Sequence, residues 1–148
     1  MMAGRITSDE PILRIQRTFA APRDRVYRAW TDAGELTRWF APGDDYVTKV
    51  IELDLRVGGR YRIEMHSPRG NIHCVLGTYR EVRAPERLVF TWCWEGKDMG
   101  ETLVTVEFRE RGPSTEVILT HEVFPTQEVR DEHTKGWNGC LDRLAKAI

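Results

Sequence analysis

The 148 residues suit a single hydrophobic core, and 41% hydrophobic and 30% charged residues match globular averages, which argues against a disordered or membrane class. Lys+Arg of 22 against Asp+Glu of 23 gives a net charge of -1, without the basic footprint of a nucleic-acid binder. Three cysteines, Cys74, Cys93 and Cys140, lie far apart, and no apolar run nears the roughly 20 residues of a bilayer span, so reduced thiols, a cytoplasmic location and no membrane partner are expected.

Residues 1–10 are polar and unpatterned and are expected to form a flexible tail before one domain over 11–148. The prolines punctuate that domain into its elements. Residues 12–19 read as a first strand. Pro22 suits a first helical turn, and Val26, Ala29 and Trp30 then recur at helical spacing, predicting a short helix that ends near Thr31. Asp32 reads as the N-cap of a second short helix, with Glu35 at the capping-box position and Leu36, Trp39 and Phe40 on its apolar face. Strand patterning covers 46–53, 60–66, 72–82, 87–95, 102–109 and 115–124, with turn chemistry between the segments, so neighbouring strands are expected to run antiparallel. From Thr126 the period turns helical, with His133, Trp137, Cys140, Leu141, Leu144 and Ile148 on one stripe. The predicted class is α+β: a curved antiparallel sheet of six to seven strands around a long C-terminal helix, with two short helices after strand 1.

Alternation sorts the strands into a wet face and a dry face. A coiled sheet cannot touch a straight helix along its whole length, so a cavity is expected between them. Its expected lining is Tyr61 and Met65 from one strand, His73 and Tyr79 from the next, then Phe90, Trp92 and Trp94, then Val106, then His121, and His133, Trp137 and Leu141 from the helix. Gly136 and Gly139 lie inside that helix, where each costs about 1 kcal/mol relative to Ala, and a close approach to the sheet or room for a ligand is the expected compensation.

Other chemistry has less support. His66, His73 and Cys74 cluster near one hairpin, but opposite parity separates His73 from Cys74, and no metal or cofactor is expected. Gly58-Gly59 reads as a strand-entry turn and not as an anion nest, and Arg56, Arg60 and Arg62 as a solvated stripe. Acid–base chemistry would fall to His73, Tyr79, His121 or His133.

The chain resembles the bacterial branch of the activator of heat-shock-protein-90 ATPase homologues, within the START-like (SRPBCC, helix-grip) superfamily. Nearly the whole length carries the likeness: Phe19-Ala20-Ala21-Pro22, Arg28-Ala29-Trp30-Thr31, Trp39-Phe40-Ala41-Pro42, Asp54-Leu55-Arg56-Val57-Gly58-Gly59-Arg60-Tyr61, Gly77-Thr78-Tyr79, Pro85-Glu86-Arg87-Leu88-Val89-Phe90-Thr91-Trp92 and His133 with Gly136-Trp137. The resemblance implies the helix-grip fold. It implies either a small-molecule binding module for an apolar, aromatic or lipid-like ligand, a chaperone-ATPase-activating role with a chaperone as partner and a place in the stress response, or a cyclase or dehydratase using a buried His or Tyr. The expected partners are accordingly a small apolar ligand or a chaperone, and the expected state is a monomer or homodimer.

Overall fold

The computed structural model describes residues 11–148, so the expected tail at 1–10 lies outside the described residues. Strand β1 (Leu13–Phe19) leads into helices α1 (Arg23–Thr31) and α2 (Ala33–Trp39). Six strands come next, β2 (Val47–Leu53), β3 (Arg60–His66), β4 (Ile72–Arg83), β5 (Arg87–Trp94), β6 (Thr102–Arg111) and β7 (Ser114–Glu122), and the long helix α3 (Gln127–Ala147) closes the chain. The seven strands form one antiparallel sheet in the order β1-β7-β6-β5-β4-β3-β2. Strands β2 to β7 are a meander, and the α1–α2 pair carries the chain from β1 on one edge to β2 on the other.

Local chemistry sets the boundaries. Pro22 is the N-cap of α1, in extended backbone, so it stands one residue outside the first turn. The Asp32 side chain accepts from the Glu35 N–H at 3.0 Å and starts α2. Strand β7 stops at Glu122, short of the expected 124, because Val123 adopts a φ of 72° that turns the chain out of the sheet. The Thr126 hydroxyl accepts from Val129 N–H at 3.2 Å to cap α3.

The sheet bends where its ladder is interrupted. Register shifts occur between Val50 and Glu52 and between Tyr79 and Glu81, the kind of irregularity that increases local twist. Around Thr91, where no β4–β5 register pair is formed, side chains supply hydrogen bonds that the ladder lacks. Thr78 N–H donates to the Thr91 hydroxyl at 2.8 Å, and the Tyr61 hydroxyl donates to the Thr91 carbonyl at 2.6 Å.

The dry face is as expected, but the opposite face is less wet than alternation predicts. Val89, Thr91, Thr105 and Ile118 are buried there too. Ile118 is flanked in register by Gln16 and Glu107, long side chains that shield it in the middle of the sheet. The Gly58-Gly59 turn is bonded to β4, with Gly58 N–H donating to Tyr79 O at 2.8 Å and Tyr79 N–H to Gly59 O at 2.9 Å. Its amides are thus committed to structure. Arg56, Arg60 and Arg62 pair with Asp54, Glu52 and Glu95 on the outer side of the sheet.

Candidate functional site

Between the sheet and the N-terminal half of α3 lies a cavity of about 240 Å³. Parity places its sheet wall: Met65 and His73 are register partners on β3 and β4, and Trp92 and Trp94 alternate inward on β5. Helical spacing places the other wall, where His133, Gly136, Trp137 and Cys140 share one face of α3. Phe40 and Pro42, just after α2, and Tyr46, just before β2, close one side. The floor is buried and aromatic, with the Trp92 and Trp137 rings 5.1 Å apart and Phe40 at 6.0 and 5.9 Å from them. The mouth carries the exposed Lys97 and Glu132.

Six of the residues expected at the cavity are therefore brought together: Met65, His73, Trp92, Trp94, His133 and Trp137. The other six do not line it. Tyr61, Tyr79 and Phe90 pack on one another 5.5 to 6.0 Å apart, and the Tyr61 hydroxyl is held by the Thr91 carbonyl. Val106 and Leu141 are packed solid, with 0% and 1% of their surface exposed. His121 is fully buried behind Trp137. All six have the inward parity assigned to them, but they sit where the interlayer is filled.

The two inner histidines are held in defined protonation states. His133 Nδ1 lies 2.8 Å from the Val129 carbonyl, one turn back, so it carries the hydrogen and donates. That leaves Nε2 to accept from the Trp94 indole N–H, also at 2.8 Å, a link from helix to sheet. Burial lowers the His133 pKa, its bond to the Val129 carbonyl and Glu132 oppose that, and Lys97 adds to the lowering. His121 Nδ1 accepts from Trp137 Nε1 at 3.1 Å, so its Nε2 donates to the Thr102 hydroxyl at 2.7 Å, which donates to the Trp92 carbonyl at 2.9 Å. Burial, with the neighbouring His133, pushes the His121 pKa down to about 2. Both basic lone pairs are thus occupied by indole donors. The Cys140 thiol is pushed up to about 12 by burial and stays protonated.

The helix glycines divide the two compensations expected of them. A Cβ on Gly136 would meet nothing within 4 Å, so this glycine leaves room in the cavity. A Cβ on Gly139 would collide with the Pro42 carbonyl, so this one permits close approach, to the loop after α2 and not to the sheet.

Among the described residues no group of three His, Cys, Asp or Glu side chains is placed to hold a metal ion. Cys74 is buried away from His73, and His66 bonds Glu64 at 2.9 Å. No helix among the described residues is long and apolar enough to cross a membrane. A second depression, of about 320 Å³ between α1 and the ends of β4 to β6, is lined mostly by engaged charges, with Arg83, Arg87 and Arg109 paired to Glu81 or Glu107 and Arg111 to Glu116, while the buried Nε of Arg23 has no hydrogen-bond partner among the described residues.

Sequence reasoning missed Phe40, Pro42, Tyr46, Lys97, Glu132 and Cys140 at the cavity. Pro42, Tyr46 and Lys97 lie outside the regular elements, where periodicity gives no direction; Phe40 and Cys140 lie on apolar faces, but periodicity does not say which inward residues border the void; and Glu132 stands on the polar side of the α3 stripe.

The sequence model of the family described as activator of Hsp90 ATPase homolog 1-like protein matches residues 20–148. A search of curated proteins finds no match. Among solved structures, a structural-genomics protein of Chromobacterium violaceum is 28% identical, with a TM-score of 0.86, covering 93% of this chain and 96% of its own. The AHSA1 protein of Silicibacter pomeroyi is 25% identical with a TM-score of 0.80, covering 91% and 95%. CalU16 of Micromonospora echinospora is 28% identical with a TM-score of 0.70, covering 92% and 74%.

Proposed function

The chain belongs to the activator of Hsp90 ATPase homolog 1-like family, and on that premise we propose that it is a binding module whose internal cavity takes a small apolar or aromatic ligand. The observation that carries this reading is the cavity of about 240 Å³ with a buried floor of Phe40, Trp92 and Trp137 and a polar mouth. Concave, mainly apolar sites with a few polar groups at one side are the usual form of small-molecule sites. A binding role also fits the histidines better than proton transfer does, because the lone pairs of His121 and His133 already accept from Trp137 and Trp94.

The test is native mass spectrometry of freshly purified protein, with organic extraction of whatever the chain retains, on the wild type and Gly136→Leu. The leucine side chain grows into open space and blocks the cavity without a clash at Cβ. A retained mass present in the wild type and absent from a folded Gly136→Leu is expected. A ligand retained equally by both would place binding elsewhere. No retained species, together with no thermal shift across a panel of aromatic acids and lipids, would overturn the reading.

A protein-interaction role has one observation in its favour. Val47, Ile51, Val57 and Ile72 are exposed on and around the edge strand β2. If a chaperone docks there, Ile51→Asp abolishes stimulation of the host chaperone's ATPase while leaving cavity binding intact. A chaperone ATPase that does not respond to the wild-type protein disposes of this role.

A further inference from the structure

We infer that the cavity is selective for a planar carboxylate of one or two aromatic rings, its ring against Trp92 and Trp137 and its carboxylate at Lys97. This rests on the reading that the cavity takes a ligand. Size is the first argument. A dry cavity of about 150 Å³ accommodates benzene, and drug-sized ligands need roughly 300 Å³ or more. The 240 Å³ here lies between them, which favours a ligand of one or two rings as the part that is buried.

Shape is the second argument. The space is lined by aromatic side chains of the sheet and of α3, and the missing side chain at Gly136 leaves open room on the helix side. Aromatic walls inclined to one another, Trp92 to Trp94 at 87° and Trp92 to Trp137 at 47°, favour a ring over a flexible chain, because stacked or edge-to-face contacts add to the burial of area.

Charge is the third. The floor carries no charged side chain, so an ionic group on the ligand must stay at the mouth. There the exposed Lys97 ammonium takes part in none of the ion pairs among the described residues. His73, half-buried in the same lining, makes no hydrogen bond among those residues and can donate one. Glu132 is the one carboxylate in the lining and repels an anion. Two donors against one acceptor favour a carboxylate, and the opposition of Glu132 gives a variant of opposite sign.

The test is titration by intrinsic tryptophan fluorescence at pH 7 and low salt with four probes of similar size: 1-naphthoate, neutral 1-naphthamide, 1-naphthylmethylammonium and the flexible decanoate. Naphthoate is expected to bind best. Its advantage over naphthamide should be about two- to fivefold, the scale of one exposed ion pair, and should vanish in Lys97→Gln and at 1 M salt. Glu132→Gln should raise naphthoate affinity by a similar factor. Equal binding of naphthamide and naphthoate, or binding indifferent to Lys97→Gln, would overturn the carboxylate while leaving the aromatic cavity standing. Preference for the ammonium probe would transfer the role to Glu132, and decanoate binding as tightly as naphthoate would overturn the aromatic ring. Failure of all four probes, with Gly136→Leu no different from wild type, would count against the cavity reading itself.

Discussion

The space between the sheet and its helices is closed at one end and open at the other, although both ends are built from inward-facing aromatic residues. At the closed end Tyr61, Tyr79 and Phe90 pack edge to face, and Trp30 stands 4.8 Å from Trp39 and 6.2 Å from Phe108 under the α1–α2 pair. At the open end Trp92 and Trp94 from the sheet and Trp137 from α3 stand around a void, and α3 carries Gly136 beside Trp137 where another residue would fill it. The difference does not lie in hydrophobicity or parity. It lies in which elements cover the face: α1 and α2 press on one end, while the other is covered by α3 and the segment between α2 and β2, with α3 tied to the sheet by the Trp94–His133 hydrogen bond. A cavity therefore arises from incomplete coverage as much as from its lining.

Trp137 joins the two ends, stacking on Trp30 at 5.9 Å on one side and forming the cavity floor on the other, so its removal gives the largest expected effect. Trp137→Ala should cost about 3–5 kcal/mol in urea denaturation, since it deletes a buried indole and strands the His121 lone pair. A loss under about 1 kcal/mol would mean that the floor is not part of the core. The next effect is in pH. His121 titrates near 2 when folded and near 6.5 when unfolded, so as pH falls the unfolded chain takes up the proton first. Stability present in full above pH 6.5 should fall by about 2 kcal/mol at pH 5, a window in which exposed carboxylates remain ionised. The lowered pKa of His133 adds in the same direction. Identical urea midpoints at pH 7.5 and pH 5 would contradict the closed, neutral setting of His121.

The elements are legible in the sequence because their signals are local. Asp32 before Glu35, the turns between alternating segments and the change of period at Thr126 each report on a few neighbouring residues, and the seven strands and three helices result from them. Parity also identifies the inward face. What parity does not encode is position along that face, so Tyr61 and Tyr79 are equivalent in pattern to Met65 and His73, and only the packing of the folded chain separates them. The same limit applies to His121 and His133. Both point inward, but one is sealed in a relay through Thr102 to the Trp92 carbonyl, while the other is half-buried at the opening. Lys97 and Glu132, which set the charge of the mouth, have no pattern to reveal them, being a loop residue and a polar-face helix residue.

The smallest effects are the most discriminating, because two glycines one turn apart on α3 should respond with opposite signs. Alanine gains about 1 kcal/mol over glycine in a helix interior. At Gly139 that gain is opposed by the Pro42 carbonyl, where overpacking costs about 1–3 kcal/mol, so Gly139→Ala should be destabilising by about 1 kcal/mol net. At Gly136 the added methyl meets nothing within 4 Å, so Gly136→Ala should stabilise by about 1 kcal/mol while narrowing the cavity and weakening its ligand. Stability that rises as binding falls is the signature of a void kept open for occupancy. If Gly136→Ala raised stability and left ligand affinity unchanged, the missing side chain would be an accident of packing and the open end merely an unfilled one.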